Sequence, residues 1–197
     1  MRSVAFVSVL MVAGVGSRPA AAQWRLGLEL LSSYYGGSAV DTSGNPHARP
    51  GNTVMPTLHL DTRLSSVRVA LRMSYGKPGV SLTGQGVTIT DRTSDKLFEA
   101  TGTVGFRVGG IGPSGAVVVD VGPTLHLWKA TPETRTRVGG LVAGTYEWPV
   151  SARFSGGIRI EGLLSKSWFD EADLPPEFRR QVTWRYGWGL GLRYRLN

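Results

Sequence analysis

The most constraining feature of this sequence is a stretch near its end, residues 181–196, in which apolar and polar positions alternate without a break. Every even position from Val182 to Leu196 is apolar or aromatic, whereas the odd positions hold glutamine, threonine, glycine or arginine. Alternation with a period of two predicts a β-strand whose two faces meet different surroundings. Bulky aromatic side chains on one face and arginines on the other are typical of a barrel strand with lipid outside and a polar lumen inside.

The N-terminus predicts secretion. Arg2 provides a positive start, residues 4–15 form a mostly apolar run, and residues 16–22 are mostly small, include Arg18 and Pro19, and end in three alanines. This order is typical of a signal peptide with an A-x-A cleavage site, cut before Gln23. The apolar run is well short of the roughly 20 residues that a spanning helix needs, which argues against a membrane anchor. The predicted organisation is therefore a signal peptide at residues 1–22 and one domain at residues 23–197.

The same alternation recurs along the rest of the chain and predicts seven further strands. Residues 67–75 are an unbroken example, with apolar side chains at the odd positions and Arg68 and Arg72 among the even ones. Pro123 falls in the middle of the fifth strand, where its missing N–H predicts a bulge. The eight predicted strands are residues 24–35, 53–63, 67–75, 96–108, 116–128, 138–148, 154–165 and 181–196.

The predicted connections alternate in length. The first, third and seventh are long polar loops at residues 36–52, 76–95 and 167–180, and the fifth is a polar loop of medium length at residues 131–137. The second, fourth and sixth connections are short. Outer-membrane barrels have long loops at one end and short turns at the other. Within residues 76–95, Val80, Leu82, Val87 and Ile89 suggest a hairpin that extends past the membrane.

Aromatic side chains of the apolar face lie near the predicted strand ends. Trp24, Trp148 and Tyr194 lie towards the turns, and Tyr75 and Trp184 lie towards the loops. Two aromatic girdles are expected at the interfaces of a membrane barrel. The alternative is a secreted soluble barrel of the lipocalin kind, with the apolar face inward around a ligand. The two girdles, the alternation of loop lengths and the predicted signal peptide together favour a barrel whose apolar face points outward.

With this pattern the predicted mature chain resembles the small eight-stranded outer-membrane barrels, such as the transmembrane domain of outer-membrane protein A. The resemblance implies an all-β fold, an eight-stranded antiparallel up-and-down transmembrane β-barrel, in the outer membrane of a Gram-negative bacterium. It also implies contact with outer-membrane lipids and lipopolysaccharide, and insertion by the barrel-assembly machinery. These barrels usually end on an aromatic residue that the machinery reads. This sequence ends on Asn197, so either recognition is looser here or Tyr194 serves instead.

The polar face predicts a lumen that contains both signs of charge, with arginine in excess. An eight-stranded barrel is just wide enough for side chains to fill its interior, and guanidinium groups can pair there with carboxylates. We therefore expect a structural ion-pair network that plugs the lumen, and Gly187, Gly189 and Gly191 leave room for long side chains. The alternative is a narrow, anion-leaning pore. The predicted network residues are Arg68, Arg72, Glu99, Arg107, Asp120, Glu147, Arg159, Glu161, Arg185 and Arg193.

Catalytic patterns are weak in this sequence. Lipid A deacylases place a serine two residues after a histidine on one strand, but His126 is followed at that spacing by Trp128 and His59 by Asp61. Lipid A palmitoyltransferases need a histidine with aspartate and serine, and His47 is the loop histidine available. The three histidines lack metal-ligand spacing, and the chain has no cysteine. The sequence therefore predicts no enzyme, no metal site and no cofactor.

The net charge of +8 and the isoelectric point near 10.3 raise the question of nucleic acid. The arginines are spread along strands at alternating positions rather than gathered in one basic stripe, so nucleic-acid binding is disfavoured. The predicted role is an integral outer-membrane protein that is structural or that interacts through its extracellular loops with a ligand that the sequence does not identify. A passive pore and a lipid A-modifying enzyme are the alternatives.

Overall fold

The computed structural model describes residues 23–43, 45–64, 66–91, 95–112, 114–130 and 133–196. The predicted signal peptide, residues 1–22, and Asn197 lie outside the described residues. Nearly all of the described chain is β-strand, with one turn of 3-10 helix at Glu171–Asp173. The strands are β1 (Gln23–Asp41), β2 (His47–Pro50), β3 (Thr53–Leu64), β4 (Val67–Gly76), β5 (Val80–Gly84), β6 (Val87–Asp91), β7 (Asp95–Gly109), β8 (Ala116–Ala130), β9 (Glu133–Pro149), β10 (Phe154–Ser165) and β11 (Phe178–Arg195).

Eight of these strands form a closed antiparallel barrel. Their order around the barrel is β1, β3, β4, β7, β8, β9, β10 and β11, so each barrel strand pairs with the next barrel strand along the chain. The last strand then pairs with the first, from Arg25 opposite Arg195 to Asp41 opposite Phe178. Closure leaves no unpaired sheet edge in the barrel wall. The predicted eight-stranded up-and-down barrel is confirmed.

The faces of the barrel are those that the alternation predicts. On β11 the even-numbered side chains point outward, and Leu190 is 52 % exposed, whereas Arg185 on the other face is 1 % exposed. The same alternation holds on β4, where Leu71 is exposed and Arg72 is buried. The apolar side chains therefore cover the outside and the charged ones fill the inside, which excludes the soluble barrel with an apolar interior.

The two ends of the barrel differ. One, here called the turn end, has the short connections at residues 64–67, 109–116 and 149–154. At the other, the loop end, β2, β5 and β6 add to the edge of β1 as it leaves the barrel, in the order β1–β2–β5–β6. The hairpin predicted around Val80 and Ile89 is present as β5 and β6, with Leu82 opposite Ile89.

Three predicted loops contain more strand than expected. The first, 36–52, contains the end of β1 and all of β2, the fifth connection contains Glu133 to Arg137 of β9, and the last contains Phe178 to Arg180 of β11. Beyond the lipid a strand needs no apolar face, so its sequence resembles a loop. Pairing of β1 with β11 as far as Asp41 still satisfies the backbone there.

The predicted bulge at Pro123 is wrong. Thr101 pairs with Thr124 and Val104 with Val121, so the register between β7 and β8 is the same on both sides of the proline. The pairing passes over Gly102 and Pro123 without an inserted residue. Here the strands come close, since a Cβ on Gly122 would lie 1.9 Å from the Gly102 carbonyl oxygen. A shift of register lies instead between Arg107 and Gly109.

No helix in the described residues is long and apolar enough to cross a membrane.

Leu190 lies between the aromatic residues Tyr186 and Tyr194 on the outer face of β11, near the middle of the apolar band.

We predict that Leu190→Arg lowers the free energy of unfolding in lipid vesicles by about 2–4 kcal/mol, because a guanidinium would face the bilayer midplane. Tryptophan fluorescence during urea unfolding measures the change. The matched control is Ile89→Arg, on an exposed position of β6 outside the barrel, which should cost about 0–1 kcal/mol. Equal costs for the two variants would mean that the outer face does not contact lipid.

Candidate functional site

The candidate site is the barrel lumen, where inward side chains from all eight barrel strands meet. The pleat directs alternate residues of each strand to the interior, and closure of the sheet brings residues distant in sequence within contact. Nine of the ten predicted network residues are buried there. They are Arg68, Arg72, Glu99, Asp120, Glu147, Arg159, Glu161, Arg185 and Arg193.

Glu161 on β10 is the centre of the loop-side half of these contacts. Its carboxylate accepts hydrogen bonds from Arg72 at 2.9 Å, from Arg159 at 3.0 Å and from Arg185 at 2.7 Å. Arg185 also binds Glu99 with both terminal nitrogens, at 2.6 and 3.0 Å. This paired geometry matches the planar fork of the guanidinium to the two carboxylate oxygens.

Glu147 on β9 is the centre of the turn-side half. It accepts hydrogen bonds from Arg68 and Arg193, and from Arg25 at 3.1 Å. Arg25 also donates to Asp61 at 2.8 Å through its Nε. A single glutamate therefore compensates arginines from β1, β4 and β11.

Asp120 on β8 joins the two halves. It accepts hydrogen bonds from Arg68 at 2.7 Å and from Arg159 at 2.8 Å. A continuous set of ion pairs thus runs along the lumen from Glu147 to Glu99. In an environment that excludes water, each charge needs such a partner, because an uncompensated ion there is strongly disfavoured.

Small residues make space for this network. A Cβ on Gly105 would lie 2.2 Å from Asp120 Oδ1. The predicted spacer glycines face β1, where a Cβ on Gly189 would lie 3.0 Å from Glu29 Oε1 and one on Gly191 would lie 3.3 Å from the Glu29 Cβ. Glu29 in turn binds Arg72 at 2.9 Å. The glycines of β11 therefore leave room for one of the carboxylates.

Arg107 is the predicted network residue that the structure does not bring into this set. It lies near the end of β7 with its side chain exposed, at the mouth of the turn end. Its parity is inward, but the lumen side chains of β7 are buried only as far as Gly105. Parity alone does not reveal where along a strand the lumen ends.

A second layer in the lumen, at its loop end, is apolar. We call it the aromatic cap. Its residues are Leu31, Tyr35, Met55, Leu97, Trp128 and Trp168. Trp168 comes from the connection between β10 and β11, and its ring centroid lies 5.7 Å from that of Trp128. Arg137 holds this connection in place with hydrogen bonds to the carbonyl oxygens of Ser167 at 2.7 Å and Trp168 at 3.2 Å.

Sequence reasoning missed the aromatic cap, although the sequence contains a signal for it. Four barrel strands carry two adjacent apolar residues where strict alternation would place only one. One residue of each pair points outward and the other, buried, enters the lumen. The pairs are Leu30 with Leu31, Val54 with Met55, Leu97 with Phe98, and Leu127 with Trp128.

The lumen histidines are neighbours of the network. His126 Nε2 lies 3.1 Å from Glu99 Oε2, and His59 Nδ1 lies 3.0 Å from Asp61 Oδ2. Both rings are buried, and the His126 ring also meets Trp128 edge-on at 6.3 Å. His47 is exposed on β2, outside the barrel wall. The described residues contain no cluster of three or more histidines and carboxylates that could hold a metal ion.

Comparison with known proteins identifies a fold. No protein-family model matches the sequence. No curated protein matches it either. Among solved structures, neisserial surface protein A has a TM-score of 0.61 at 9 % sequence identity, over 88 % of this chain and 97 % of that one.

Two further structures match with lower scores. The N-terminal β-barrel domain of OprF from Pseudomonas aeruginosa has a TM-score of 0.46 at 11 % identity, over 88 % of this chain and 99 % of that one. Ail, the attachment invasion locus protein of Yersinia pestis, has a TM-score of 0.45 at 10 % identity with the same coverage. The barrel closure, its apolar outside and the similarity to neisserial surface protein A lead to one conclusion: this chain has the fold of the small eight-stranded outer-membrane β-barrels.

Proposed function

We propose that this protein is an integral outer-membrane barrel with a closed lumen, and that its role is structural or is carried out by its loop end. The observation that carries the proposal is the ion-pair network from Glu147 to Glu99, which fills the interior beneath the aromatic cap. The proposal includes export by a signal peptide at residues 1–22 and insertion by the barrel-assembly machinery.

The outer surface supports membrane insertion. Large apolar side chains are exposed on every barrel strand, for example Leu28, Leu71, Val142 and Ile160. A soluble protein rarely leaves so extensive an apolar surface in water. In a bilayer the same surface contacts acyl chains, and the ladder closed between β11 and β1 satisfies the backbone. Lipids and lipopolysaccharide of the outer membrane are therefore the partners that fit this face.

The interior supports a plug more than a pore. Arg72, Arg159 and Arg185 extend across the lumen, and each is at most 1 % exposed. A conducting pore needs hydrated groups that an ion can approach and leave, whereas these guanidinium groups are engaged by carboxylates. The aromatic cap adds a second obstruction nearer the loop end.

The loop end supports a role in interaction. The sheet of β2, β5 and β6 extends past the barrel rim, and its exposed side chains include Leu82, Val87 and Ile89. An apolar surface held on a rigid hairpin outside the lipid is suited to contact a partner molecule. No catalytic role is proposed, because His59 and His126 are buried and, among the described residues, no hydroxyl group is hydrogen-bonded to their ring nitrogens as a nucleophile would be. Lipid A from cells that express the protein should accordingly keep its mass.

We predict that the purified protein produces no step conductance in planar bilayers. The variant Tyr35→Ala/Trp128→Ala, which removes much of the aromatic cap, should also be silent, because the ion pairs beneath it still fill the lumen. Single-channel recording is the measurement, with the heat-dependent shift in gel mobility as the check that each sample is folded. Reproducible ion-selective steps from the unaltered protein would favour the narrow passive pore.

We predict that Glu161→Gln lowers the free energy of unfolding by about 3–5 kcal/mol, the cost of removing one partner from a buried set of ion pairs. The change leaves Arg72, Arg159 and Arg185 with one carboxylate fewer in the closed interior. Urea unfolding in vesicles gives the value.

The control for Glu161→Gln is the same substitution at Glu133. Its carboxylate pairs with Arg135 at 3.1 Å but is 64 % exposed, so the loss should be at most about 1 kcal/mol. A similar small loss at both positions would contradict a role for the network in holding the barrel closed.

A further inference from the structure

The turn end of the barrel contains a cavity of about 190 Å³ that is lined by five arginines and a single carboxylate. The arginines come from β1, β3, β7, β11 and the connection between β9 and β10, so closure of the barrel brings them together. They are Arg25, Arg63, Arg107, Arg153 and Arg195. The mouth of the lumen is therefore strongly cationic.

The carboxylate of this cavity pairs with only one of the five arginines that line it, Arg25. Glu147 already accepts hydrogen bonds from Arg68 and Arg193, which lie deeper in the lumen, as well as from Arg25. Its two oxygens are thus engaged by three guanidinium groups. The remaining arginines of the cavity lie beyond this set.

Within the described residues, four arginines of the cavity have no carboxylate partner. Arg63, Arg107, Arg153 and Arg195 are exposed, and none has a carboxylate within ion-pair distance in the described part of the chain. Arg153 donates instead to the Tyr194 hydroxyl at 3.1 Å. Their forked N–H groups are available to an acceptor from outside the protein.

The strand register places like charges opposite each other at this end. Arg25 on β1 lies directly opposite Arg195 on β11, and Arg63 on β3 lies opposite Arg68 on β4. Like charges in such positions destabilise a sheet. In each pair one arginine already has carboxylate partners, Arg25 with Asp61 and Glu147, and Arg68 with Asp120 and Glu147. An anion bound beside Arg63 and Arg195 would compensate the other member of each pair.

We propose that this cavity binds a phosphate-type oxyanion. Guanidinium groups bind phosphate oxygens in pairs, and Ser114, Ser151 and Ser155 also line the cavity and can donate hydroxyl hydrogen bonds. The same chemistry comes from two sources, a free phosphate or pyrophosphate and the headgroup of an anionic phospholipid. Trp148 and Phe154, which line the cavity as well, are residue types found at membrane interfaces, where headgroups lie.

The test uses the folded full-length barrel in a maltoside detergent, which contains no phosphate. Titration calorimetry measures binding of inorganic pyrophosphate, and native mass spectrometry measures retention of phosphatidylglycerol added to the micelles. The test variant is Arg63→Gln/Arg107→Gln/Arg195→Gln. We expect it to bind at least about tenfold more weakly than the unaltered protein in whichever arm shows binding. We expect this variant to fold, because the three side chains are exposed. The heat-dependent gel shift checks that it does.

The matched control, Lys96→Gln/Lys129→Gln/Arg179→Gln, removes the same charge from exposed positions at the loop end. It should bind as the unaltered protein does. Pyrophosphate binding identifies a free oxyanion as a ligand, and retention of phosphatidylglycerol alone identifies a lipid headgroup. Binding in neither arm, or equal losses in the two triple variants, would overturn the proposal. The result does not depend on whether the lumen conducts.

Discussion

Closure of the backbone ladder is the constraint on which the rest of this molecule depends. A strand that contacts lipid has no water to satisfy its N–H and C=O groups, so the sheet has to return to its own first strand. Pairing of β11 with β1 accomplishes this. Once the sheet is closed, the alternation of each strand directs one set of side chains outward and the other into a narrow interior. The apolar outside and the crowded charged inside both follow from that one event.

The interior of the barrel is filled in two ways, neither of which leaves a buried charge unpaired among the residues described below. In the middle of the barrel, Arg72 and Arg185 share the carboxylate of Glu161, and Arg185 also pairs with Glu99, so that each of these charges has a partner. Towards the loop end the lumen changes to the aromatic cap, which needs no counter-charge. In both layers the side chains contact neighbours from other strands. The described lumen therefore has a polar layer beneath an apolar one.

The sequence predicted what the pleat determines and missed what depends on height along the barrel. Parity identified Arg185 as inward and Leu190 as outward, because a period of two leaves no other choice. It did not reveal that Arg72 meets Glu161, 89 residues away, since the stagger between strands sets which side chains share a level. The lumen positions of Leu31 and Trp128 were not predicted, because two adjacent apolar residues look like the end of an alternating pattern. The polar ends of β1 and β9 were predicted as loops, because the sequence of a strand without an apolar face resembles that of a loop.

The seam between the first and the last strand also determines when this chain can become a barrel. Arg25 pairs with Arg195, at opposite ends of the barrel sequence. Contacts so far apart form late, because a long segment of chain has to be ordered first. A chain that ends before β11 leaves β1 and β10 as open edges, which lipid does not tolerate. The barrel therefore cannot close until β11 is present, so its first and last strands become one wall in a single late step.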